Sequence, residues 1–501
     1  MLGYPRTVGV FLNLPAKAWL ALGGFTSRAV GSKHNLGASQ IRFADKKSRF
    51  GGKLGMDGIK VVRFSSGEFG PWDIDVAPSV YPPREDTELL CRSLSGIQGR
   101  GRKAVEIGCG SGVISMALAQ MGWRVEGFDI NPYAVACSRA NIEKFGFSDS
   151  VKISEGGLGE DNWSISEDVE LVVWNLPYLT PPEEGEPKLE PIEEASMSDL
   201  GGGGWSSELL QYLSRRKHHD LVVIALFRID PESPSKASDW LNSGWSCRNI
   251  ESLRIGDEKL GVFGLWKTGF GIKESRVGSC SSTMDYASNL PDEGWQRVVA
   301  NNQDSGRGRR GSVWKSEEGD LVASWRINRD LSELPTPGIL QISIGAVVSN
   351  LINCELKWPN DLVTKGGGKI GGVLIEANSS NPGFRLGVGI NSFSRDLDGR
   401  LCPGWRETFG EFSRDYIFNA VDSRISSIIE KDDRIPDSHS SDLERMSWST
   451  LSRSLSRGVG AIHEGEEVRV VGIDSDGFLH VDSRGERVVL SSTEDIIWNF
   501  K

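Results

Sequence analysis

The order of short segments between residues 103 and 267 limits the possible folds most strongly. β-rich runs alternate there with stretches suited to helices, which predicts a parallel sheet with helices on its faces. Two closely spaced final runs, 247–255 and 260–266, predict an antiparallel hairpin. We therefore expect a doubly wound, seven-stranded α/β sheet, whose first five strands are 104–108, 124–130, 151–154, 171–177 and 221–227.

The remaining sequence predicts further domains, since 501 residues exceed one ordinary hydrophobic core. A Gly- and Lys-containing stretch at 268–276 ends the alternation, and an irregular α+β pattern follows it. A polar run at 432–442 then precedes strand-turn alternation at 466–490, which predicts a small β-barrel. The predicted domains are 56–268, 276–430 and 443–501.

The first 55 residues differ from the rest, with nine Lys or Arg against the single acid Asp45. Three interpretations are open: a wrongly assigned start with Met56 as the true one, a disordered basic arm, or a transit-like presequence. A basic arm would make the protein an RNA-associated modifier with salt-dependent binding.

Composition excludes several classes of protein. The net charge of -11 disfavours general nucleic-acid binding, and no apolar run reaches 18 residues, so no membrane span is expected. Seven scattered cysteines without a C-x-x-C spacing argue against a disulfide framework and a thiolate zinc site. We expect a reduced, cytoplasmic protein without a bound structural metal.

A glycine-rich turn predicts the first site. Gly108, Gly110 and Gly112 follow the first strand, where bare backbone lets an adenosine cofactor approach the next helix. Asp129 ends the second strand and can accept hydrogen bonds from both ribose hydroxyls. The glycines alone are also compatible with another nucleotide-binding domain or a simple tight turn.

The end of the fourth strand indicates what the cofactor does. In Asn175-Leu176-Pro177-Tyr178, the Asn175 side chain and a neighbouring backbone carbonyl can accept both hydrogens of a planar NH2 group. The nitrogen lone pair then faces a methyl sulfonium, while Tyr178 packs on the acceptor's flat face. A strand-terminating turn is the alternative interpretation.

Residues 80–267 resemble class I methyltransferases of the release-factor glutamine methyltransferase family, in its archaeal and eukaryotic branch. The motifs are YPPREDTELL (81–90), VEIGCGSG (105–112), FDINPYAV (128–135) and WNLPYL (174–179). The resemblance implies S-adenosylmethionine as cofactor, with Thr87 and Asn131 among its contacts. It also implies a glutamine of a translation release factor as acceptor, and a small zinc-binding activator subunit as a possible partner.

One position departs from that family, because Leu176 stands where its motif has a proline. The change restores a backbone N–H and frees φ, which makes the loop's rigidity uncertain. Asn-Leu-Pro-Tyr also resembles the motif of adenine dimethyltransferases that act on ribosomal RNA. RNA adenine as acceptor, or a catalytically weak protein-binding module, therefore remains an alternative.

The segment 301–314, NNQDSGRGRRGSVW, predicts a second site. Glycines let such a loop fold around an anion while guanidinium groups pair with phosphate oxygens, although a nuclear-localisation-like run or an RNA-binding patch looks similar. Its arginines and glycines alternate as Gly306, Arg307, Gly308, Arg309, Arg310 and Gly311.

Three downstream motifs favour chemistry on a phosphoanhydride: KWPND (357–361), KIGGVLIEA (369–377) and GVGINSF (387–393). Lys369, preceded by three glycines, can hold negative charge that develops on an α-phosphate. Asp361 is a candidate to orient groups around the reacting centre.

Residues 276–501 resemble biotin protein ligases. The resemblance implies ATP with Mg²⁺ and biotin as ligands, adenylation of the biotin carboxylate, and transfer to a lysine of a biotin carboxyl carrier protein or domain. The methyltransferase-like half occupies the place of the helix-turn-helix found in many such ligases, so intrinsic DNA binding is not expected. Lipoate ligases and octanoyltransferases share the fold but normally lack GRGRRG and KWPND.

The same resemblance assigns individual residues. Lys369 corresponds to the essential lysine, and the arginine loop covers the adenylate. Ser312 and Met284 depart from the usual Arg and Asn. Biotin contacts are implied for Ser282, Thr283 and Gln303, and adenylate contacts for Trp314, Asn360, Asp361, Gly371, Gly372 and Asn391.

Overall fold

The computed structural model describes residues 53–54, 58–160, 163–179, 198–200, 202–216, 220–377, 383–397 and 399–500. Apart from residues 53–54, the basic segment 1–55 lies outside the described residues. Within the described ranges, no helix is long and apolar enough to cross a membrane.

The N-terminal half opens with a hairpin that the sequence analysis did not predict. Burial alternates along both long strands, so that Phe64 and Ile74 are fully buried against the following helices. The strands are β1 (Lys53–Leu54), β2 (Lys60–Ser66) and β3 (Phe69–Val76), paired antiparallel in the order β1-β2-β3.

Seven further strands form the sheet expected from the alternation in 103–267, in the order β6-β5-β4-β7-β8-β10-β9. β4 to β8 pair in parallel, and β10 runs antiparallel to both of its neighbours. The strands are β4 (Lys103–Ile107), β5 (Arg124–Asp129), β6 (Val151–Glu155), β7 (Val169–Asn175), β8 (Val222–Asp230), β9 (Trp245–Ile255) and β10 (Glu258–Lys267). The helices are α1 (Glu85–Leu94), α2 (Val113–Gln120), α3 (Pro132–Lys144), α4 (Gly204–Ser214) and α5 (Ala237–Asn242).

The C-terminal half contains a mixed sheet in the order β11-β12-β15-β19-β18-β17-β16, which agrees with the predicted α+β pattern. The strands are β11 (Ser275–Cys280), β12 (Gln296–Gln303), β13 (Gly306–Arg307), β14 (Val313–Trp314), β15 (Leu321–Ile327), β16 (Glu355–Lys357), β17 (Asp361–Val363), β18 (Lys369–Ala377), β19 (Phe384–Ile390), β20 (Arg395–Leu397) and β21 (Arg400–Cys402). The helices are α6 (Thr283–Ala287), α7 (Pro337–Leu351), α8 (Trp405–Thr408) and α9 (Arg414–Ile429). The apolar α7 packs against the sheet and supplies much of the core.

A helix, α10 (Ser440–Ser456), begins inside the run 432–442 that the sequence analysis treated as a polar connector. A sheet in the order β25-β24-β23-β22-β26 follows it and extends the predicted 466–490 segment in both directions. Its strands are β22 (Val459–His463), β23 (Glu466–Ile473), β24 (Leu479–Ser483), β25 (Glu486–Leu490) and β26 (Ile497–Phe500). Short 3₁₀ turns occupy Thr268–Gly271, Arg309–Gly311, Leu331–Glu333 and Thr493–Asp495.

Candidate active sites

The first cavity lies at the carboxyl ends of β4, β5 and β7 and has a volume of about 320 Å³. Ligands of open α/β sheets sit at this edge. Most of the residues predicted for the first site line this cavity, namely Thr87, Gly108, Gly110, Asp129, Asn131, Asn175, Pro177 and Tyr178. Gly112 does not line it, although its neighbours Ser111 and Val113 do.

The glycine turn has the conformation that the sequence requires. Gly112 adopts a φ of 85° where it caps α2, and a Cβ there would lie 3.2 Å from the Ser138 side chain. Asp129 Oδ2 accepts a hydrogen bond from Gly110 N at 2.9 Å, and its Oδ1 accepts one from Asn131 N at 2.9 Å. Asp129 therefore holds the turn and the start of α3 in place, and its remaining lone pairs border the cavity.

Asn175 is fixed by a residue that the sequence analysis did not single out. Its Nδ2 donates to Asp86 Oδ2 at 3.0 Å. The other carboxylate oxygen of Asp86 accepts from Thr87 N at 2.7 Å and from Thr87 Oγ1 at 3.2 Å. Because a carboxylate only accepts, the amide of Asn175 has one orientation. Its Oδ1 is buried and has no hydrogen-bond partner among the described residues.

Burial of Leu176 restricts the loop in which this residue replaces a proline. Its side chain is 2% exposed and belongs to the apolar cluster beneath the cavity, so packing anchors the loop at this position. The next aromatic residue, Tyr178, is hydrogen-bonded to Tyr81, and burial raises the pKa of both phenols. Both rings are therefore neutral walls of the cavity.

Hydrogen bonds within the protein hold the side chains of two further cavity residues, Asn131 and Glu106. Asn131 caps α3 by accepting from Tyr133 N at 2.9 Å and donates to Ser79 O at 2.9 Å, so its side chain serves the fold. Glu106, which the sequence analysis passed over, lines the cavity and accepts a hydrogen bond from Ser115 Oγ. Burial raises the pKa of Glu106 to about 8, which favours its neutral form.

The second cavity, of about 850 Å³, lies in the C-terminal half. One wall comes from the arginine loop and another from β18 and β19. The residues predicted for this site that line it are Thr283, Gln303, Arg307, Gly308, Arg309, Arg310, Trp314, Asn360, Asp361, Lys369 and Gly372.

Lys369 stands at the start of β18 with its ammonium 2.6 Å from Asp361 Oδ1. Lys357 Nζ lies 3.2 Å from Asp361 Oδ2. Burial raises the pKa of Asp361, but the two lysines outweigh this effect and lower it overall. The result is one carboxylate between two ammonium groups, a net positive cluster suited to a phosphate.

The three arginines of the loop have different partners. Arg307 pairs with Asp285 and lies 3.4 Å from Glu376, while Arg310, at a φ of 53°, pairs with Glu494 and donates to Ser492 Oγ. Arg309 Nη1 instead lies 3.5 Å from Asn360 Oδ1, close to the lysine cluster. Burial, and then the charge of Arg310, lower the pKa of Arg309.

A separate polar group forms the other end of the cavity. Gln303 Oε1 accepts from Thr283 N at 3.2 Å and from Thr283 Oγ1 at 3.3 Å, and Ser324 Oγ donates to Thr283 Oγ1 at 2.9 Å. Ser282 Oγ next to them is buried without a partner among the described residues. Buried hydroxyl and amide groups of this kind suit a small polar ring system.

Five of the residues predicted for this site do not line the cavity: Ser282, Gly306, Gly311, Gly371 and Asn391. Asn391 donates to Lys369 O and Pro403 O, each at 3.2 Å, and accepts from Arg395, so its amide supports the backbone of Lys369 and is not directed at a ligand. A Cβ on Gly306 would lie 2.5 Å from Trp314 O, and one on Gly371 would lie 2.5 Å from Gly389 O. These two glycines allow close packing, and Gly311 borders a neighbouring depression.

The C-terminal sheet also contributes to the cavity, which the sequence analysis missed. Thr493, Ile496, Ile497 and Trp498 line it. The indole nitrogens of Trp314 and Trp498 are buried without a partner among the described residues. Strand patterning in this segment was visible, but only the tertiary structure shows which site it faces.

The chain is similar to a methyltransferase family in its N-terminal half and to a biotin/lipoate ligase family in its C-terminal half. Residues 84–176 match the model of the ribosomal protein L11 methyltransferase family, and residues 279–391 match that of the biotin/lipoate A/B protein ligase family. The predictions of methyltransferase, ligase, biotin and ATP-binding character are thereby confirmed. S-adenosylmethionine, ATP and biotin are the ligands that fit these two families.

The individual relatives include protein glutamine methyltransferases as well as a biotin ligase. A putative protein N5-glutamine methyltransferase of Methanocaldococcus jannaschii is 28% identical over 197 residues, which cover 38% of this chain and 93% of the relative. A release factor glutamine methyltransferase of Clostridium acetobutylicum is 35% identical over 116 residues, covering 22% of this chain and 41% of the relative. A biotin–[acetyl-CoA-carboxylase] ligase of Paracoccus denitrificans is 28% identical over 134 residues, covering 25% and 55% respectively.

Proposed function

We propose that the chain is a bifunctional enzyme: a biotin ligase that modifies a carrier lysine, fused to an S-adenosylmethionine-dependent N-methyltransferase that acts on a protein glutamine. The ligase assignment rests on the single cavity that joins the Thr283–Gln303 end to the Asp361–Lys369 end. A biotin ring at the first end would direct its carboxylate toward the positive cluster at the second.

The residues around the cluster suit adenylation of a carboxylate by ATP. Lys369 and Arg309 would hold the charge that develops on the α-phosphate as pyrophosphate leaves, and Asp361 orients Lys369. The ε-amine of the carrier lysine would then attack the acyl carbon and release AMP. Mg²⁺ would accompany ATP and would be coordinated by its phosphate oxygens. The wall made by Trp314 and the arginine loop excludes water from the anhydride.

One observation supports the methyltransferase assignment above the others: the buried, unpartnered Oδ1 of Asn175, fixed by Asp86. The NH2 group of an acceptor would donate a hydrogen bond to this oxygen, and the acceptor nitrogen would then face the cavity. The residues also suit S-adenosylmethionine, since Asp129 faces a ribose position and the turn at Gly110 leaves the backbone open. The cofactor would supply the methyl group.

A glutamine of a translation release factor is the acceptor that the named relatives favour, as does the EDT triplet, Glu85-Asp86-Thr87, within the motif at 81–90. An adenine amino group of RNA would also satisfy Asn175, so it is the second candidate. We further propose that the N-terminal half belongs to the archaeal and eukaryotic branch of that methyltransferase family and that a small zinc-binding activator subunit is a possible partner. The proposed location is cytoplasmic, and the proposed domain limits are 56–268, 276–430 and 443–501. A doubly wound class I sheet and an SH3-like C-terminal barrel belong to the same proposal.

The two activities can be tested in one preparation. The full chain is incubated with biotin, ATP, Mg²⁺ and a biotin carboxyl carrier domain, and separately with labelled S-adenosylmethionine and either a Gly-Gly-Gln peptide or ribosomal RNA. Lys369→Ala should abolish lysine-linked biotin and spare methylation, whereas Asn175→Ala should do the reverse. Because each variant should keep one of the two activities, the retained activity shows that the variant chain is folded. Label on RNA alone would move the acceptor to adenine, and no transfer to the carrier would refute the ligase assignment.

A further inference from the structure

Residues 426–437, called here the interface segment, belong to the C-terminal half but contact the N-terminal half. The sequence analysis placed residues 426–430 in the domain 276–430 and residues 432–437 in a polar run. In the structure, Arg434 is 2% exposed and Ile435 is 4% exposed, which are values typical of a core. The segment therefore does not behave as a flexible linker.

Arg434 joins the two halves through hydrogen bonds. Its guanidinium donates to Glu170 O at 3.0 Å, to Asp220 O at 2.9 Å and to Asp220 Oδ1 at 2.7 Å, and Asp432 completes the set at 2.7 Å. Removing one partner of a buried charge is strongly destabilising, because the charge remains without water or a counter-ion. The buried state of Arg434 thus depends on both halves.

The N-terminal half makes a reciprocal contact through Arg248 on the edge strand β9. This side chain is 4% exposed, and its Nη1 lies 3.9 Å from Asp437 Oδ1. It also donates to four backbone carbonyls of the other half. Those carbonyls belong to Ser426 (3.3 Å), Ser427 (2.8 Å), Glu430 (2.7 Å) and Pro436 (2.9 Å).

Glu430 and Ile435 extend this contact into both cores. Glu430 Oε2 accepts from Trp266 Nε1 at 2.9 Å and from Gly269 N at 3.2 Å. Ile435 belongs to the apolar cluster of the N-terminal half, and a Cβ on Gly264 would lie 3.3 Å from its side chain. The interface therefore combines buried hydrogen bonds with apolar packing, as a domain core does.

The contact lies at the amino ends of the central parallel strands. Arg102, just before β4, bonds to Asp433 at 2.9 and 3.0 Å, while Glu170 and Asp220 lie at the start of β7 and just before β8. The cofactor residues stand at the opposite, carboxyl edge of the same strands. Docking of the halves therefore leaves the first cavity open while it fixes the strands that carry it.

From these contacts we propose that the two halves unfold as one cooperative unit, with the interface segment as the connection. Unfolding of either half would leave Arg248, Arg434 and Glu430 without partners in the other, so neither half keeps its stability alone. This inference concerns the folding of the chain and does not depend on which reactions the halves catalyse.

Native-state hydrogen exchange of the full chain, measured over a series of urea concentrations, tests the proposal. β8 and β19 are each flanked by two strands within their sheets, so their slowest amides report the unfolding of each half. We expect both strands to show the same free energy of opening and the same urea dependence. Two different free energies or urea dependences in the wild-type chain would overturn the proposal.

Arg434→Gln should separate the two exchange curves, with the amides of the less stable half exchanging at least about 10-fold faster than those of the other. Arg445→Gln is the matched control, because this arginine is 60% exposed and makes a surface pair with Asp442 at 3.4 Å. Unseparated curves in Arg434→Gln would refute the role of the segment. A variant that fails to fold leaves the wild-type comparison as the deciding result.

Discussion

The orientation of the Asn175 amide can be reversed by one isosteric substitution, Asp86→Asn. Thr87 N and Thr87 Oγ1 both donate to Oδ1 of Asp86. The atom that faces Thr87 in the variant must therefore be the oxygen of the new asparagine. The NH2 group of the new asparagine then faces Asn175, whose amide must turn to present its oxygen. The cavity would receive a donor where it now has an acceptor.

The magnitude follows from the hydrogen bond that is lost. Leaving a donor or acceptor unsatisfied in a buried site costs about 1–3 kcal/mol, which corresponds to a fall of about 5- to 150-fold in kcat/KM for methyl transfer. Affinity for S-adenosylmethionine should not change, because the bonds from Asp129 to Gly110 and Asn131 are untouched. Steady-state methylation of a glutamine peptide and calorimetric cofactor binding would measure both quantities.

Two further variants distinguish an effect on the orientation of the Asn175 amide from a nonspecific loss of structure at the site. Glu85→Gln changes the exposed acid next to Asp86 and should leave kcat/KM unchanged. In the double variant Asp86→Asn with Asn175→Asp, the new carboxylate would accept from residue 86 and again offer an oxygen to the cavity, so activity should recover in part. Wild-type kcat/KM in Asp86→Asn, or loss of cofactor affinity with it, would refute the reasoning.

Three other predictions follow from the described contacts. Lys369→Ala should lower the rate of biotin adenylation by about 10²- to 10³-fold in a pyrophosphate-release assay, because a charge next to the α-phosphate is lost; an unchanged rate would exclude that role. Arg309→Ala should reduce kcat/KM for ATP more than Arg307→Ala, since Arg307 is held by two acids, and equal effects would contradict this division. Burial raises the pKa of Glu430 from 4.5 to about 7, so its contribution to stability is complete below pH 4.5 and decreases as the pH rises toward 7. Glu430→Gln should flatten that part of the urea-midpoint profile, and a parallel profile would show that another group causes the slope.

Local signals in the sequence indicated most of the residues that line the first cavity. Strand alternation located the sheet, and the parallel order then places the ends of β4, β5 and β7 together, with Asp129 and Asn175 at one edge. The role of Asp86 was not accessible in this way. It depends on a contact between α1 and β7 across 89 residues, although the EDT triplet had marked the segment.

The second site shows the same division between local and long-range information. The order of GRGRRG, KWPND and KIGG indicated which residues meet, and most of them line one cavity. Asn391 was assigned to a ligand from its motif, whereas its contacts make it a support for Lys369. The buried state of Arg434 and the cavity-facing side of residues 493–498 arise from packing between distant segments, which no local pattern records.

The closure of the chain at Leu179 and Ser198 has a consequence for the position of Asn175. These residues form a bridge, and Asp199 N donates to Leu179 O at 2.8 Å, so the chain leaves the edge of the first cavity and returns to the same place. When two residues are joined in this way, doubling the number of residues between them costs only about 0.6 kcal/mol of closure entropy in general. A change in the number of residues between these two positions is therefore expected to leave Asn175, four residues before the bridge, in its place at the edge of the first cavity.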